Sequence, residues 1–328
     1  MMSYTAIKQA YSQMLVEQQL ELDFNKQPEH PMIDVDGVQK HRHNSLGQPI
    51  HHTDEGIKNF HRWFGDSKAV DEHGRPKVFY HGTGADVSEF NPYMNPTAKQ
   101  LYGAGIYVTD DPHIASSYSE TAERSHIKSH QPNVLPIYVK SHNSLDIDAP
   151  LNESIRHLQK QKGVKAPSSA AVKRSIDEYA HEGIMPDLDK LGRAYENDTG
   201  RYVDFSKHKA YARNGVIDAI HTKIASGEFK TGKDLYNIHS KAYYAGLNET
   251  GVHNAVPQRL SDLGFDGIKH VGGKNVGWQD HNVAIAFKAN QIKSAIGNSG
   301  AFGHPTKITE SAYDAIAESY IKMINQKE

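Results

Sequence analysis

An α+β chain is predicted by three features. Short strand-forming runs lie before about residue 150, similar runs return after about residue 264, and a long helical stretch separates them. The early strands are Lys77-Val78-Phe79-Tyr80, Ile106-Tyr107-Val108-Thr109, Val134 to Lys140 and Ser144 to Asp148. The late ones are Gly264 to Val271 and Asn282 to Phe287. Between about 151 and 250, Leu158, Ile176, Leu188, Leu191, Val216, Ile217 and Ile220 recur at helical spacing.

Taken in order, residues 4–22 carry the helical stripe Ile7, Ala10, Tyr11, Met14 and Leu15. Residues 23–55 are polar and broken by Pro28, Pro31, Gly37, Gly47 and Pro49, the composition of a linker or wrapping arm. Thr53-Asp54-Glu55 then caps a helix with Ile57, Phe60, Trp63 and Phe64 on one side, ending at Gly65. The turn Glu72-His73-Gly74-Arg75-Pro76 leads as a hairpin into the strand that ends Tyr80-His81-Gly82-Thr83-Gly84. A Gly- and Asn-rich loop follows, and after Thr109 the pair Asp111-Pro112 supplies an N-cap and first position for a helix through Ile114, Ala115 and Tyr118. The pattern over residues 309–325 predicts a last amphipathic helix. The predicted division is therefore 1–55 as N-terminal helix and arm, 56–303 as the main domain with an insertion over about 151–250, and 304–328 as a C-terminal helix.

Composition narrows the function. The 328 residues have a formal net charge of −2, which argues against a protein held on nucleic acid or membrane by bulk charge. No cysteine is present, so disulfides and thiolate catalysis are excluded. No stretch approaches the length of a membrane span, and the expected setting is cytoplasmic or a host cytosol into which the protein is delivered. The 21 histidines lack metal-site spacing, and no metal is expected. Basic and tyrosine residues interleaved in the insertion suit either nucleic-acid contact or ordinary solvated helix faces.

The chemistry gathers at the strand ending His81-Gly82-Thr83. It delivers an imidazole, a hydroxyl and backbone without a side chain to one edge, the make-up of a ligand-binding strand end. Tyr107 follows on the next strand, Tyr118 comes eleven residues later, and the late strand follows a Gly-rich loop containing Trp278 and Gln279. Singly, each has a blander reading: the tyrosines as core aromatics, the histidine as partner to a buried carbonyl.

In this order the segments Trp63 to Ser67, Tyr80 to Thr83, Tyr107 to Pro112, Leu263 to Ile268 and Phe287 to Asn298 resemble diphtheria-toxin-like ADP-ribosyltransferases. The similarity is closest to the ADP-ribosyltransferase domain of phage and mobile-element polyvalent proteins, over about 55–150 and 251–303. The resemblance implies two small packed sheets forming an NAD cleft, with NAD as substrate and no metal. It assigns NAD binding to His81, Gly82, Thr83, Gly84, Tyr107, Ser116 and Tyr118, with His81 on the adenosine ribose, Gly82 on the carboxamide and the two tyrosines about the nicotinamide ring. The family's serine position falls on Ala115 in strict register. Trp278 and Gln279 lie where relatives recognise an acceptor macromolecule, more readily a protein than a nucleic acid.

One part of the pattern differs. Where the family has a Glu that holds the nicotinamide-ribose 2′-hydroxyl, the register from Asn290-Gln291-Ile292 gives Val283, or Asn282 after a slip of one. Asp280 is the nearest carboxylate. The expected catalytic set is therefore His81, Tyr107, Asp280 and Asn282. The expected activity is mono-ADP-ribosyl transfer, as in a phage or bacterial effector or toxin. The alternatives are an NAD-binding or protein-interaction module without turnover, and an NAD glycohydrolase.

Overall fold

A computed structural model describes residues 31–84, 87–93, 100–121, 133–244, 249–273, 279–303 and 307. The helices expected over 4–22 and 309–325, and Trp278, lie outside the described residues. The strands are β1 (Met32–Val35), β2 (Val38–His41), β3 (Val78–Thr83), β4 (Ile106–Thr109), β5 (Asn133–Val139), β6 (Ser144–Asp146), β7 (Gly267–Gly272), β8 (His281–Ala286) and β9 (Ile292–Ser294). The helices are α1 (Asp54–Phe64), α2 (Pro112–Thr121), α3 (Leu151–Ser154), α4 (Ala170–His181), α5 (Leu188–Thr199), α6 (Lys209–Ala225), α7 (Gly232–Tyr244) and α8 (Glu249–Leu263). The fold is α+β, as expected.

Seven strands form one ladder in the order β6-β7-β8-β4-β3-β5-β9. It behaves as two half-sheets, because β3 and β4 share the single register pair Tyr80–Thr109. By contrast, β3 pairs with β5 from Val78–Tyr138 to Thr83–Asn133, and β8 pairs with β7 over its whole length. Side chains from both halves meet in one core: Phe79, Ile137, Val139 and Ile292 from one, Ile106, Val108 and Ala286 from the other. The two halves are thus joined at β3–β4 by one register pair and share one buried face.

The opposite face of each half is covered. Over β3–β5, helix α1 lays down Ile57, Phe60 and Phe64 together with Ile33 and Val35 from the β1–β2 hairpin. Thr53 caps α1, its hydroxyl accepting from the Gly56 N–H at 3.1 Å. The region read as a polar arm therefore contains an ordered hairpin, whose alternate residues Ile33 and Val35 are buried against α1 while Asp34 faces out. The hairpin expected before β3 is reduced to one bridge, Val70–Pro76, since proline has no N–H to extend a ladder.

Over β6–β7–β8, the helical insertion shares a core with the sheet. Leu145, Ile268, Ile285 and Phe287 pack with Ile176, Val216, Leu235 and Leu260 of the helices. Two resembling segments prove structural here. The Asp266 carboxylate accepts the Asn143 N–H at 3.1 Å and the His142 N–H at 2.5 Å, and the Gln291 amide donates to Lys140 and Asp266 carbonyls at 3.0 and 2.9 Å. Trp63 Nε1 donates to the Asn290 carbonyl at 3.2 Å, joining α1 to the same knot.

Two buried histidines tie stability to pH. His239 is 0% exposed, with Nδ1 donating to the Leu235 carbonyl and Nε2 accepting the Met185 N–H at 3.0 Å, an arrangement only the neutral ring satisfies. Burial pushes it down to about 4, and burial likewise pushes His61 down to about 4 despite its bond to the His41 carbonyl. In the unfolded chain each ring protonates near its ordinary value of 6.5. Their contribution, about 3 kcal/mol each, is complete above about pH 6.5 and is lost as pH falls toward about 4. Urea midpoints should drop through that window. An NMR titration in which both rings charge near pH 6.5 in the folded protein would contradict this.

Candidate functional site

The site forms where the two half-sheets part. The ladder between β3 and β4 stops at Tyr80, so from His81 onward the β3 edge facing β4 carries no register pair. His81 bridges the opening with its side chain, its Nδ1 lying 2.7 Å from the Tyr107 carbonyl. A carbonyl only accepts, so Nδ1 carries the proton and Nε2 is left as an acceptor. Burial lowers the His81 pKa, against that hydrogen bond, which keeps the ring neutral. Phe90 meets the ring edge-on at 4.8 Å and holds its plane.

Gly82 is required by packing. A Cβ there would come 1.7 Å from the Ala115 carbonyl oxygen, so the backbones of β3 and α2 are in direct contact. Ala115, where the resemblance leads one to expect a serine, is the helix residue that makes this contact. Asp111 sets the helix start, its carboxylate accepting the His113 N–H at 2.8 Å. Helix α2 then carries Ser116 and Tyr118 beside the β3 edge. Ser116 is half-buried, and Tyr118 is 57% exposed, unusual for so large a ring. Thr83 is half-buried and Gly84 buried at the strand end.

Tyr107 projects from β4 on the side of the helical insertion. Its hydroxyl donates to the Gly103 carbonyl at 2.8 Å and accepts the Tyr102 N–H at 3.0 Å, pinning the loop before β4. Burial raises its pKa above the ordinary tyrosine range. The hydrogen bond from Tyr102 opposes this, and the hydroxyls of Tyr236, Tyr102 and Tyr118 reinforce it. Tyr236 of α7 brings the insertion to the same place. Tyr102 meets the Tyr236 ring edge-on at 5.1 Å.

The late strand separates the two positions considered for the carboxylate. Val283 pairs with Thr109, and Ile285 with Tyr107, so Val283 shares the Tyr107 face. Asn282 projects to the opposite face. Its amide donates to Asp110 Oδ2 at 2.6 Å and its N–H to Oδ1 at 2.8 Å, while Lys77 Nζ sits 2.8 Å from Oδ2. Burial opposes charge on Asp110, but Lys77 and Asn282 outweigh it and hold the carboxyl below its usual range. Asn282 is thus part of a strand-to-strand tie on the face away from the Tyr107 side chain. Asp280 and Gln279 are exposed just before β8, and the Gln279 carbonyl pairs with His281 Nδ1 at 3.0 Å. The Asp110–Lys77–Asn282 cluster was not singled out from sequence; the spacing of 33 between Lys77 and Asp110 gave no local signal.

The described residues contain no group of three or more His, Cys, Asp or Glu able to hold a metal ion. No helix among them is long and apolar enough to cross a membrane. The site offers a neutral imidazole, the hydroxyls of Tyr107 and Tyr118, and a strand edge without register pairs. The Val283 side chain contributes no polar atom to it.

A family model described as ADP-ribosyltransferase in polyvalent proteins matches residues 71–302, well over half of the chain, and the chain belongs to that family. Searches of curated proteins and of solved structures each gave no match.

The Gly82–Ala115 contact makes a direct prediction. The atom a Cβ would strike is backbone and cannot swing aside, so Gly82→Ala must displace α2. Urea denaturation should show a loss of about 3 kcal/mol. An unchanged midpoint would mean that β3 and α2 are not in backbone contact.

Proposed function

We propose that this member of the polyvalent-protein ADP-ribosyltransferase family is a mono-ADP-ribosyltransferase. It cleaves the bond between nicotinamide and ribose C1′ of NAD and joins C1′ to a nucleophile on a macromolecule, a protein in preference to a nucleic acid. The bond pair leaves with nicotinamide, which departs neutral, and the acceptor loses a proton as its new bond forms. Family membership over residues 71–302 is the observation that carries this reading.

Each side chain has a task within it. His81 takes a hydroxyl of the adenosine ribose on Nε2 while Nδ1 stays on the Tyr107 carbonyl. The Gly82 backbone, with Thr83 and Gly84 beyond it, meets the carboxamide. Tyr107 and Tyr118 flank the nicotinamide ring, with Ser116 beside them. Binding has to favour the developing ribosyl cation over the ground state, and enclosure by aromatic faces contributes to that. Trp278, Gln279 and Asp280 precede β8 and would meet the acceptor. Action as an effector in a host cytosol suits this chemistry, since the acceptor would be a host macromolecule.

Val283 at the Glu position favours a second reading, in which NAD is bound without turnover. One assay separates the two. Purified protein given NAD and a cell lysate should release nicotinamide and label a macromolecule. His81→Ala should lower release by about a hundredfold, because it unlatches Tyr107 as well as losing a ribose contact. Nicotinamide without labelling would indicate hydrolysis, and no release with any lysate would leave only the binding module.

A further inference from the structure

The sheet register identifies what stands beside Val283. Strand β8 is paired on both sides there, with Thr109 of β4 and His270 of β7. Directly paired residues project to the same face, so His270, Val283 and Thr109 form one row across three strands. The next row is Ile268, Ile285 and Tyr107. His270 therefore lies on the Tyr107 face, one row from Tyr107 and adjacent to the position that has no acceptor of its own.

The imidazole is also built into the Tyr107 cluster. Its ring lies 4.9 Å from that of Tyr102 at an interplanar angle of 60°. Tyr102 in turn donates its N–H to the Tyr107 hydroxyl at 3.0 Å. Burial, with His281, lowers the His270 pKa, while the charges of Asp148 and Asp146 oppose it. A neutral imidazole carries one donor and one acceptor nitrogen. Asp148 is anchored nearby, accepting the Val271 N–H at 2.7 Å, and its negative charge acts on both His270 and Tyr102. His270 is half-buried. The Asn282 side chain, on the other face and held by Asp110, cannot take this place.

We propose that His270 accepts the 2′-hydroxyl of the nicotinamide-side ribose, so that the acceptor is supplied from β7 in place of a carboxylate on β8. Asp148 stands behind it as a positioning residue whose charge favours a cationic sugar. This rests on the reading of NAD as ligand.

The test uses calorimetry with carba-NAD, whose nicotinamide–sugar bond does not break, and with the same compound lacking the 2′-hydroxyl on the nicotinamide side. The unaltered chain should prefer the hydroxylated compound about tenfold, the worth of one hydrogen bond. His270→Ala should reduce the preference to within about twofold, as should His270→Phe, which keeps ring packing on Tyr102 and serves if the alanine variant does not fold. Adding Val283→Glu to His270→Phe should restore it. A preference kept in His270→Phe, or absent from the unaltered chain, overturns the assignment of His270 alone. If the unaltered chain binds neither compound, the NAD reading fails and this inference fails with it.

Discussion

The hydrogen bond from His81 to the Tyr107 carbonyl holds the site together, because it crosses the place where the sheet has no ladder. A continuous ladder would close the gap with backbone pairs, and no ligand could reach the β3 edge. An open gap with no bridge would let the half-sheets move apart. One side chain in the neutral form satisfies both requirements: it spends one nitrogen on structure and keeps the other for chemistry. The constraint also limits the strand end. With an imidazole turned across the gap and a helix backbone pressed on the next residue, position 82 has room for glycine only.

The helical insertion has a consequence for that site. Its core is continuous with the face of β6, β7 and β8 that carries Tyr107, and Tyr236 from α7 stands among the site tyrosines. A substrate entering beside Tyr107 would therefore meet the insertion as a wall. Nucleic-acid contact by the insertion would be confined to faces turned away from this core. The fully buried His239 and the Leu, Ile and Val positions of the helices belong to its packing.

Much of the fold was legible in the sequence. Thr53 and Asp111 announced two helix starts through side-chain oxygens that reach neighbouring N–H groups, and both act that way. The β-branched and aromatic runs at 78–80 and 106–109 became strands as expected. The hairpin at 32–41 was hidden by the polar residues on its outer side, because two short strands bury too few apolar residues to dominate the local composition. Tyr107 and Tyr118 could be named because they follow a motif strand in the sequence; the placement of α2, which carries Tyr118, depends on its packing against β3.

By itself the sequence determined the order of elements, the caps, the family-like segments and the absence of a carboxylate at 282 and 283. These are properties of neighbours along the chain, where spacing and residue type carry the information. Tertiary structure alone decided which way each strand residue faces, since strand pairing, and not composition, sets the face. It put Asn282 with Asp110 and Lys77, and set His270 beside Val283 although they are thirteen residues apart in number and on different strands. The gap at the end of β3 is likewise a product of pairing: it exists because the β3–β4 ladder stops after one register pair.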